Sequence, residues 1–512
     1  MNIKRIIKPV AVMLASIILA SLFSACGRED FNMFFGIDEM PQNIDPQKAL
    51  SYSELLTVRN CFKGLTRLLE NSDAVLDLAD EYTVSDDRLT YTFTIHDGSK
   101  WSDGSALEAD DFVFAYERAK DPETKAPQAE LLKNIESVSA ADRSTVVYRL
   151  KTADENFLAR IANPVFMPCN RSFFEKCGGK YGLGQKHILT NGNFRVKSWS
   201  EGSFIRLIRV TENKSRNSMA NSVYLSVSSK GKDNVSRAVN KEVGMTVDFG
   251  SDIFSSDVSS LEILSEYRTA YAIVFNKNSA IGSNKNITDA FALCVHREYY
   301  LSRCNQAVKN AGSVFPDDGT VCGKDISELI TAPQYSFSYD PEAARTLFLK
   351  GVSELEKKTF PNVEIVAVDE PSSKSVLGDV VSKWQSELGA YVNIKTVKDK
   401  KTLTDTLING NYTVAFVPLP SDSVETVKLF ADGGYLDLGN VELDGIVGQI
   451  SDTDKVSDTA LNIGKAAAVL SETSLVIPII STPTTAMWDK KYSNVSVFKA
   501  DMTVDFSLIC KS

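Results

Sequence analysis

Short apolar segments alternate with helix-forming segments between residues 363 and 417. A helix is predicted from about Val380 to Leu388, ending before Gly389, which suits a C-terminal cap, and another over Thr402–Ile408. Strands are predicted on either side of them, at Val363–Val368, Val392–Val397 and Tyr412–Val417. Because strand, helix and strand in this order need a crossover connection, we expect an α/β fold with a mixed sheet.

A second region with clear periodicity lies between residues 78 and 118. Tyr91–Ile95 alternates apolar and polar residues and predicts a half-buried strand. Trp101 follows between two turn-forming stretches, and we expect it to be a core residue rather than a ligand contact. Asp110 and Asp111 then begin a predicted helix, where acidic side chains complement the helix dipole.

The C-terminal part of the chain adds one more helix and strand. The helix is predicted from about Thr459 to Leu470, and the apolar strand from Leu475 to Ile480. Pro478 interrupts this strand and suits either a sheet edge or a crossing between domains. The serine-rich segment 215–259 has no clear assignment.

Residues 1–25 have the pattern of a targeting segment. Three basic residues come first, and an apolar stretch from Pro9 to Phe23 follows that is short for a membrane span. The stretch ends before Cys26 in a pattern similar to the bacterial lipobox, in which the cysteine is diacylated. An ordinary signal peptide with a chance cysteine is the alternative. We predict removal of residues 1–25 and a lipid anchor at Cys26 on the outer side of the cell membrane.

The charge balance bears on possible partners. The leader holds three of the 56 basic side chains and none of the 66 acidic ones, which leaves the rest of the chain with a net charge of −13. An acidic chain without a basic stripe argues against nucleic acid as a partner. The remaining length is enough for two to four domains, and we expect a monomer.

Histidine and cysteine usage argue against an enzyme, a metal site or a cofactor. The chain has only three histidines, His96, His187 and His296, and it lacks the glycine-rich phosphate loops and nucleophile motifs. A metal at His296 with Cys304 is the alternative to a helix face packed on a core. Seven cysteines follow Cys26, so at least one is unpaired within the chain, and Cys169 with Cys177 form either a local bridge or part of the core.

Several stretches together resemble the large solute-binding proteins of peptide, nickel and oligosaccharide ABC importers, known as solute-binding protein family 5. The agreement is dense from about residue 32 to residue 199 and thinner afterwards. The stretches that carry it are Asn43-Ile44-Asp45-Pro46-Gln47, Leu78-Ala79-Asp80-Glu81-Tyr82, Lys100-Trp101-Ser102-Asp103-Gly104 and Asp111-Phe112-Val113-Phe114-Ala115-Tyr116-Glu117-Arg118.

The resemblance implies a clamp of two lobes that closes around a ligand. It implies a first lobe over residues 27–267 with an extra subdomain at about 50–165, a second lobe over 268–480, and a return to the first lobe over 481–512. In peptide binders of this class the ligand lies extended and pairs with the protein main chain as an added strand.

The same resemblance implies a set of ligand contacts. Asp422 matches the aspartate that pairs with the α-amino group of a peptide, although it also fits a simple loop aspartate. The family's carboxylate-binding arginines fall on Leu407 and Phe416, its pocket tryptophan falls on Lys400, and its Trp-Cys pair falls on Leu419-Pro420. The predicted ligand-binding residues are Leu50, Ser51 and Tyr52 on a pocket strand, Gln128, Lys400, Phe416, Pro420 and Asp422.

The sequence is therefore compatible with two functions. The first is a substrate-binding lipoprotein of an ABC transporter, which captures an oligopeptide or another small solute and delivers it to a membrane permease. The second is a lipid-anchored sensor with the same fold and no coupling to transport, suggested by the loss of the side-chain anchors. No residue pattern supports a catalytic function.

Overall fold

The computed structural model describes residues 31–70, 72–210, 219–228, 233–250, 257–303, 308–451 and 455–511. The predicted leader, Cys26 and Cys304 lie outside these ranges, so the predictions for the lipid anchor and for a metal at Cys304 stay predictions.

Residues 31–250 form strands, helices and short 3-10 turns. The strands are Phe31–Gly36, Thr66–Leu68, Ala74–Leu76, Ala79–Val84, Thr90–Ile95, Ile135–Ala140, Thr145–Leu150, Phe194–Ser200, Phe204–Arg209, Ala220–Ser226 and Met245–Asp248. The helices are Tyr52–Cys61, Ala109–Lys120, Phe157–Arg160, Arg171–Lys176 and Asn234–Val239. The 3-10 turns are Pro122–Thr124, Ala129–Leu132, Pro164–Phe166 and Gln185–His187.

Residues 257–511 add two long strands and most of the longer helices. The strands are Leu261–Phe275, Lys309–Asn310, Thr320–Val321, Lys324–Asp325, Val363–Val368, Val392–Val397, Val414–Leu419, Val476–Asp489, Tyr492–Ser493, Ser496–Phe498, Thr503–Asp505 and Cys510–Lys511. The helices are Lys285–Leu293, Arg297–Leu301, Ile326–Leu329, Pro341–Glu354, Pro371–Leu388, Lys400–Ile408, Ser423–Phe430, Val441–Ser451 and Val456–Ser471.

One mixed sheet connects both parts of the chain. The strand Val363–Val368 lies parallel to its two neighbours, one of which follows it through the helix Pro371–Leu388. In the middle, two long strands pair antiparallel. The strand order is Val392–Val397, Val363–Val368, Val414–Leu419, Leu261–Phe275, Val476–Asp489, Met245–Asp248, Phe31–Gly36, Ala220–Ser226, Phe204–Arg209 and Phe194–Ser200. This mixed sheet with crossover helices confirms the predicted α/β fold.

We call residues 270–480 the second part of the chain and the other described residues the first part. Alternation along the strands separates two cores in the second part. In Leu261–Phe275, alternate residues such as Ala272 and Val274 face one buried cluster, and Ile273 and Phe275 face another. Both of these clusters draw on residues between 270 and 480. The large core of the first part instead uses residues between 33 and 247 together with residues 486–509.

The two long strands, Leu261–Phe275 and Val476–Asp489, pass from the first core to the second, and we call them the crossing strands. Their ends at Leu264 and Ala486 pack on the core of the first part, and their other ends enter the clusters of the second part. Pro478 lies on a crossing strand, in a stretch that pairs on one side only, with Ala272. Its position is therefore locally that of a sheet edge, where a missing N–H on the unpaired side removes no ladder bond.

The predicted strands at Val363–Val368 and Val392–Val397 are confirmed residue for residue. Gly389 has φ +71° directly after the helix that ends at Leu388, as expected for a left-handed cap. The third strand was wrongly placed, because it begins at Val414 rather than at residue 412 and continues to Leu419. It passes through Pro418, where only the neighbouring crossing strand pairs with it, so the proline does not end the ladder.

The tryptophan block of residues 100–111 has a structural role. A four-stranded antiparallel sheet that includes the predicted Tyr91–Ile95 strand packs against the helix Ala109–Lys120. Trp101 is buried and its Nε1 donates to Asp111 Oδ2 at 2.9 Å, which confirms it as a core residue. The main chain of Asp111 accepts the Cys169 N–H at 3.0 Å, so the block joins three segments of the first core.

Asp111 gives this part of the fold a testable pH dependence. Burial raises its pKa to about 6. The hydrogen bonds from Glu108 and Trp101 favour the charged form and lower the pKa, but their effect is smaller. Because the folded chain then binds this proton more tightly than the unfolded chain, its contribution to stability is fully present below about pH 4 and is lost as the pH rises through about 6. Urea unfolding of the wild type and of Asp111→Asn should differ by a free energy that changes over this window. A difference that stays constant from pH 4 to 7 would contradict the assignment.

Candidate functional site

The ladder between the crossing strands is irregular at two points, and the first of them lies at Glu266 and Thr269. Glu266 pairs with Thr484 and Thr269 pairs with Thr482, so two residues on one strand lie opposite one on the other. The two residues in the bulge are Tyr267 and Arg268, opposite Pro483. Such a bulge bends a strand and redirects side chains, and it often lies beside functional sites.

Charged residues of the C-terminal return, residues 499–501, lie beside this bulge. Lys499 Nζ lies 3.1 Å from Glu266 Oε1, and this hydrogen bond raises the pKa of the lysine. Arg59 Nε lies 2.7 Å from Asp501 Oδ2. These two ion pairs fix the segment 499–501 beside the crossing strands.

Two loops of the second part meet the same bulge. Asp318 Oδ2 accepts the N–H of Tyr267 at 2.5 Å. Arg268 Nη2 lies 3.5 Å from Ser421 Oγ, next to the predicted site residue Asp422. The bulge therefore stands between the return segment of the first part and the loops 318 and 421 of the second, and we call this region the cleft.

Asp422 is held by the helix that follows it. Its Oδ1 accepts the N–H groups of Val424 at 2.9 Å and Glu425 at 3.2 Å, as expected for an N-cap of the helix Ser423–Phe430. Burial raises the pKa of Asp422, and the two backbone bonds act in the opposite direction. Its Oδ2 receives no hydrogen bond from any described residue. This oxygen is therefore free to accept a bond from a cationic ligand.

Leu50 and Tyr52 lie on the first part. The Tyr52 hydroxyl donates to the main-chain oxygen of Met502 at 3.1 Å, and its ring meets Phe249 edge-on at 5.0 Å. Burial raises the pKa of Tyr52, so the hydroxyl stays protonated and can donate. Leu50 and Phe249 are exposed, which gives this surface an apolar character beside the return segment.

The prediction that residues 50–52 form a strand was wrong. Ser51 is the N-cap of a helix that begins at Tyr52. The carboxylate of Glu54 accepts the N–H groups of Leu50 at 3.0 Å and Ser51 at 3.1 Å, which closes a capping box. These N–H groups are therefore not available to a neighbouring strand.

Arg160, at the end of the short helix Phe157–Arg160, pairs with Asp154 at 2.6 Å. Burial raises the pKa of the Cys322 thiol, and the negative charge of Asp422 acts in the same direction.

The other predicted contacts lie apart from the cleft or offer it little surface. Phe416 is buried and stacks on Tyr271 at 5.3 Å, so its ring has no surface for a ligand. Lys400 is exposed at the start of its own helix, and Gln128 precedes a 3-10 turn near the small sheet. Pro420 is exposed, and its main-chain oxygen accepts the Thr426 hydroxyl at 3.1 Å.

Sequence reasoning did not find Arg268, Lys499 or Asp318. No motif marks them, because they become neighbours only when the return segment and the loops meet the crossing strands. The one local signal was the stretch Glu266-Tyr267-Arg268, which places two charges and an aromatic ring shortly before the apolar run that begins at Ala270.

A separate cavity of about 970 Å³ is lined by residues of the first part, among them Arg59 and Phe498 next to the return segment. Its lining includes Lys63 and Asp77, whose charged atoms are 3.8 Å apart, and it contains no residue between 268 and 480. None of the predicted ligand contacts lies in it. We give the cleft more weight than this cavity, because the cleft brings both parts of the chain to a predicted contact.

The cysteines and histidines of the described residues have structural roles. Cys169 and Cys177 are unpaired and buried, so they belong to the core. His296 caps the helix Arg297–Leu301 and packs on Tyr339 at 4.2 Å between ring centres. In the described ranges, no cluster of three or more histidine, cysteine or acidic residues is arranged to hold a metal. No described helix is long and apolar enough to cross a membrane.

Comparisons of the sequence with known proteins agree with this geometry. The dipeptide-binding protein of Lactococcus lactis is 26% identical over 449 residues, which cover 80% of this chain and 81% of that protein. The periplasmic oligopeptide-binding protein OppA of Salmonella typhimurium is 24% identical, over 86% of this chain and 84% of that protein.

The matches to solved structures also cover most of the chain. OppA of Listeria monocytogenes bound to peptide superposes with a TM-score of 0.71 at 20% identity, over 94% of this chain and 99% of that one. The unliganded open form of the murein tripeptide-binding protein MppA gives a TM-score of 0.70 at 18% identity, over 94% and 98%. The fold is therefore that of a two-lobed substrate-binding protein. Residues 73–431 match the bacterial extracellular solute-binding proteins, family 5, and the chain belongs to this family.

Proposed function

We propose that this protein captures short peptides outside the cell and delivers them to the permease of an ABC importer. The observation that carries the proposal is the free Oδ2 of Asp422, a partly buried carboxylate oxygen in the cleft between the two parts of the chain. A buried carboxylate is stabilised by a cation that hydrogen-bonds to it, and the α-ammonium of a peptide is such a cation. The names of the dipeptide- and oligopeptide-binding relatives support the same ligand class.

The lobes in this proposal are residues 27–267 with 481–512, and residues 268–480, with the subdomain at about 50–165. The distribution of the buried clusters supports these boundaries, since one core uses both ends of the described chain and the other two use residues 270–480. The bulge at Tyr267 and Arg268 is then the hinge. A ligand closes the lobes only if it binds the closed form better than the open one, so it must touch both of them.

The lipid anchor completes the proposal. Diacylation of Cys26 would keep the protein at the membrane surface, close to the permease, after removal of residues 1–25. Metabolic labelling with a fatty acid, with Cys26→Ala as the control, tests this part independently of ligand binding.

Replacing Asp422 with Asn is expected to weaken peptide binding about 10- to 100-fold, because a hydrogen bond to a charged group contributes about 1.5–3 kcal/mol. Asparagine is an equally good N-cap, so the helix Ser423–Phe430 should remain intact. The measurement is isothermal titration of the protein, expressed from residue 27, with alanine peptides of two to five residues. N-acetylated peptides, which lack the ammonium, should bind the wild type and the variant equally.

A matched control is available at Asp399. It caps the helix Lys400–Ile408 through the N–H of Thr402 at 2.8 Å and lies outside the cleft. Asp399→Asn should leave peptide affinity unchanged. Equal losses in the two variants, or no loss in Asp422→Asn, would remove Asp422 from the site. No binding of any peptide by the wild type would refute the proposed function.

A further inference from the structure

Arg268 is a cation in the cleft that forms no ion pair with any described residue. It lies in the bulge of the crossing strand and is partly buried. Its one hydrogen bond to a described side chain is the 3.5 Å contact with Ser421 Oγ, and no described carboxylate lies within ion-pair distance of it. A guanidinium has five N–H donors, so most of its capacity to donate is unused by these residues.

The acidic side chains around Arg268 already have other partners. Desolvation lowers the pKa of Arg268, and the nearby carboxylates oppose this effect. Glu266 and Asp501 are paired with Lys499 and Arg59, as described above. Asp318 and Asp325 accept main-chain N–H groups of Tyr267 and Ser327. The fold therefore holds a partly desolvated cation at the bulge and leaves its direct counter-charge to come from elsewhere.

We propose that Arg268 binds a carboxylate of the ligand close to the ligand's amino end. The assignment rests on the proposed function, because it takes Asp422 as the site of the α-ammonium. Arg268 contacts Ser421, and Ser421 directly precedes Asp422, so the guanidinium and the capping carboxylate lie in the same corner of the cleft.

The spacing limits which carboxylate can reach Arg268. An extended chain advances about 3.3–3.6 Å per residue, so a group in this corner belongs to the first or second residue of the peptide. Two sources share this chemistry, the C-terminal carboxylate of a dipeptide and the side chain of an acidic residue near the amino end. Arginine can hold either one with two parallel hydrogen bonds.

Arg268 is a cation in a protein that lacks the two arginines implied by the resemblance. The two positions at which the resemblance implies carboxylate-binding arginines are Leu407 and Phe416, and both side chains are buried in the cores. Arginines that bind the C-terminal carboxylate would select peptides by length. A carboxylate-binding cation on the crossing strand would instead select peptides by a negative charge near the amino end.

Two pairs of probes distinguish the two sources. Each pair differs by one carboxylate: the alanine dipeptide against its C-terminal amide, and the amidated tetrapeptide Ala-Glu-Ala-Ala against its glutamine counterpart. In at least one pair, titration calorimetry should show the acid binding roughly tenfold or more tighter than the neutral form. The pair that shows the preference identifies the source of the carboxylate.

Arg268→Gln should abolish this preference and leave the affinity for the neutral peptides unchanged. Arg268→Lys keeps the charge without the two parallel bonds and should retain part of the preference. Arg149→Gln, at an exposed arginine of the small sheet, is the control and should behave as the wild type.

Three results would overturn the assignment: no preference for the acid in the wild type, a preference that persists in Arg268→Gln, or equal weakening of acidic and neutral peptides in that variant. A wild type that binds neutral peptides without preference leaves the proposed function standing. A wild type that binds no peptide at all refutes the proposed function and this assignment together.

Discussion

Asp45→Asn is expected to lower the free energy of unfolding by about 3–5 kcal/mol, because it leaves the buried guanidinium of Arg118 without its counter-charge. The two side chains are 2% and 7% exposed, and Asp45 Oδ2 lies 2.5 Å from Arg118 Nη2. Arg118 also donates to Gln47 Oε1 at 2.6 Å and stacks over the ring of Phe174 at 4.1 Å. With its surroundings packed in this way, the cation has no route to solvent when the aspartate is neutralised.

Chemical unfolding followed by circular dichroism measures this loss. A surface pair of similar geometry provides the control, since Arg149 Nε lies 2.7 Å from Glu136 Oε2 and the two side chains are 62% and 54% exposed. Glu136→Gln should change the unfolding free energy by about 1 kcal/mol or less. If the two variants lose similar amounts, burial of the Asp45–Arg118 pair is not what makes it important.

Trp384→Ala should lower the free energy of unfolding by a similar amount, about 3–5 kcal/mol. Trp384 is fully buried in the second part of the chain, and its ring centre lies 4.4 Å from that of Phe291. Its Nε1 donates to the main-chain oxygen of Phe291 at 3.1 Å. The substitution removes this bond and opens a cavity between the helices Pro371–Leu388 and Lys285–Leu293.

Trp384→Phe separates the two contributions. Phenylalanine fills most of the cavity and cannot donate the hydrogen bond, so we expect a loss of about 1–2 kcal/mol. The urea midpoints of both variants, followed by circular dichroism, give the comparison. If alanine and phenylalanine destabilise equally, the hydrogen bond rather than the packing holds these helices together.

Local patterns were sufficient for elements whose neighbours are close in sequence. Val363–Val368 and Val392–Val397 were predicted correctly because alternation, the helix between them and the glycine cap at Gly389 all lie within one segment. Residues 50–52 were assigned to a strand through the family resemblance, and that assignment was wrong because the carboxylate of Glu54 makes this stretch a helix cap. The capping interaction is local, but the resemblance did not include it.

The cleft could not be derived in the same way. Asp422 was predicted through the family resemblance, and its free Oδ2 is visible only once the helix after it is formed. Arg268 was missed because its surroundings come from residues 421 and 501, more than 150 positions away in the chain. The charged residues of such a site come from segments that are distant in the sequence. Which of these segments meet depends on the register of the crossing strands.

The crossing strands also determine how the two lobes can move. They are the hydrogen-bonded pair that carries the sheet from one core to the other, interrupted opposite Pro483. A paired ribbon resists shear and in-plane bending much more than bending across its face. We therefore expect opening to follow a single arc about one axis, so that ligands of different length all meet the same two walls at the same angle.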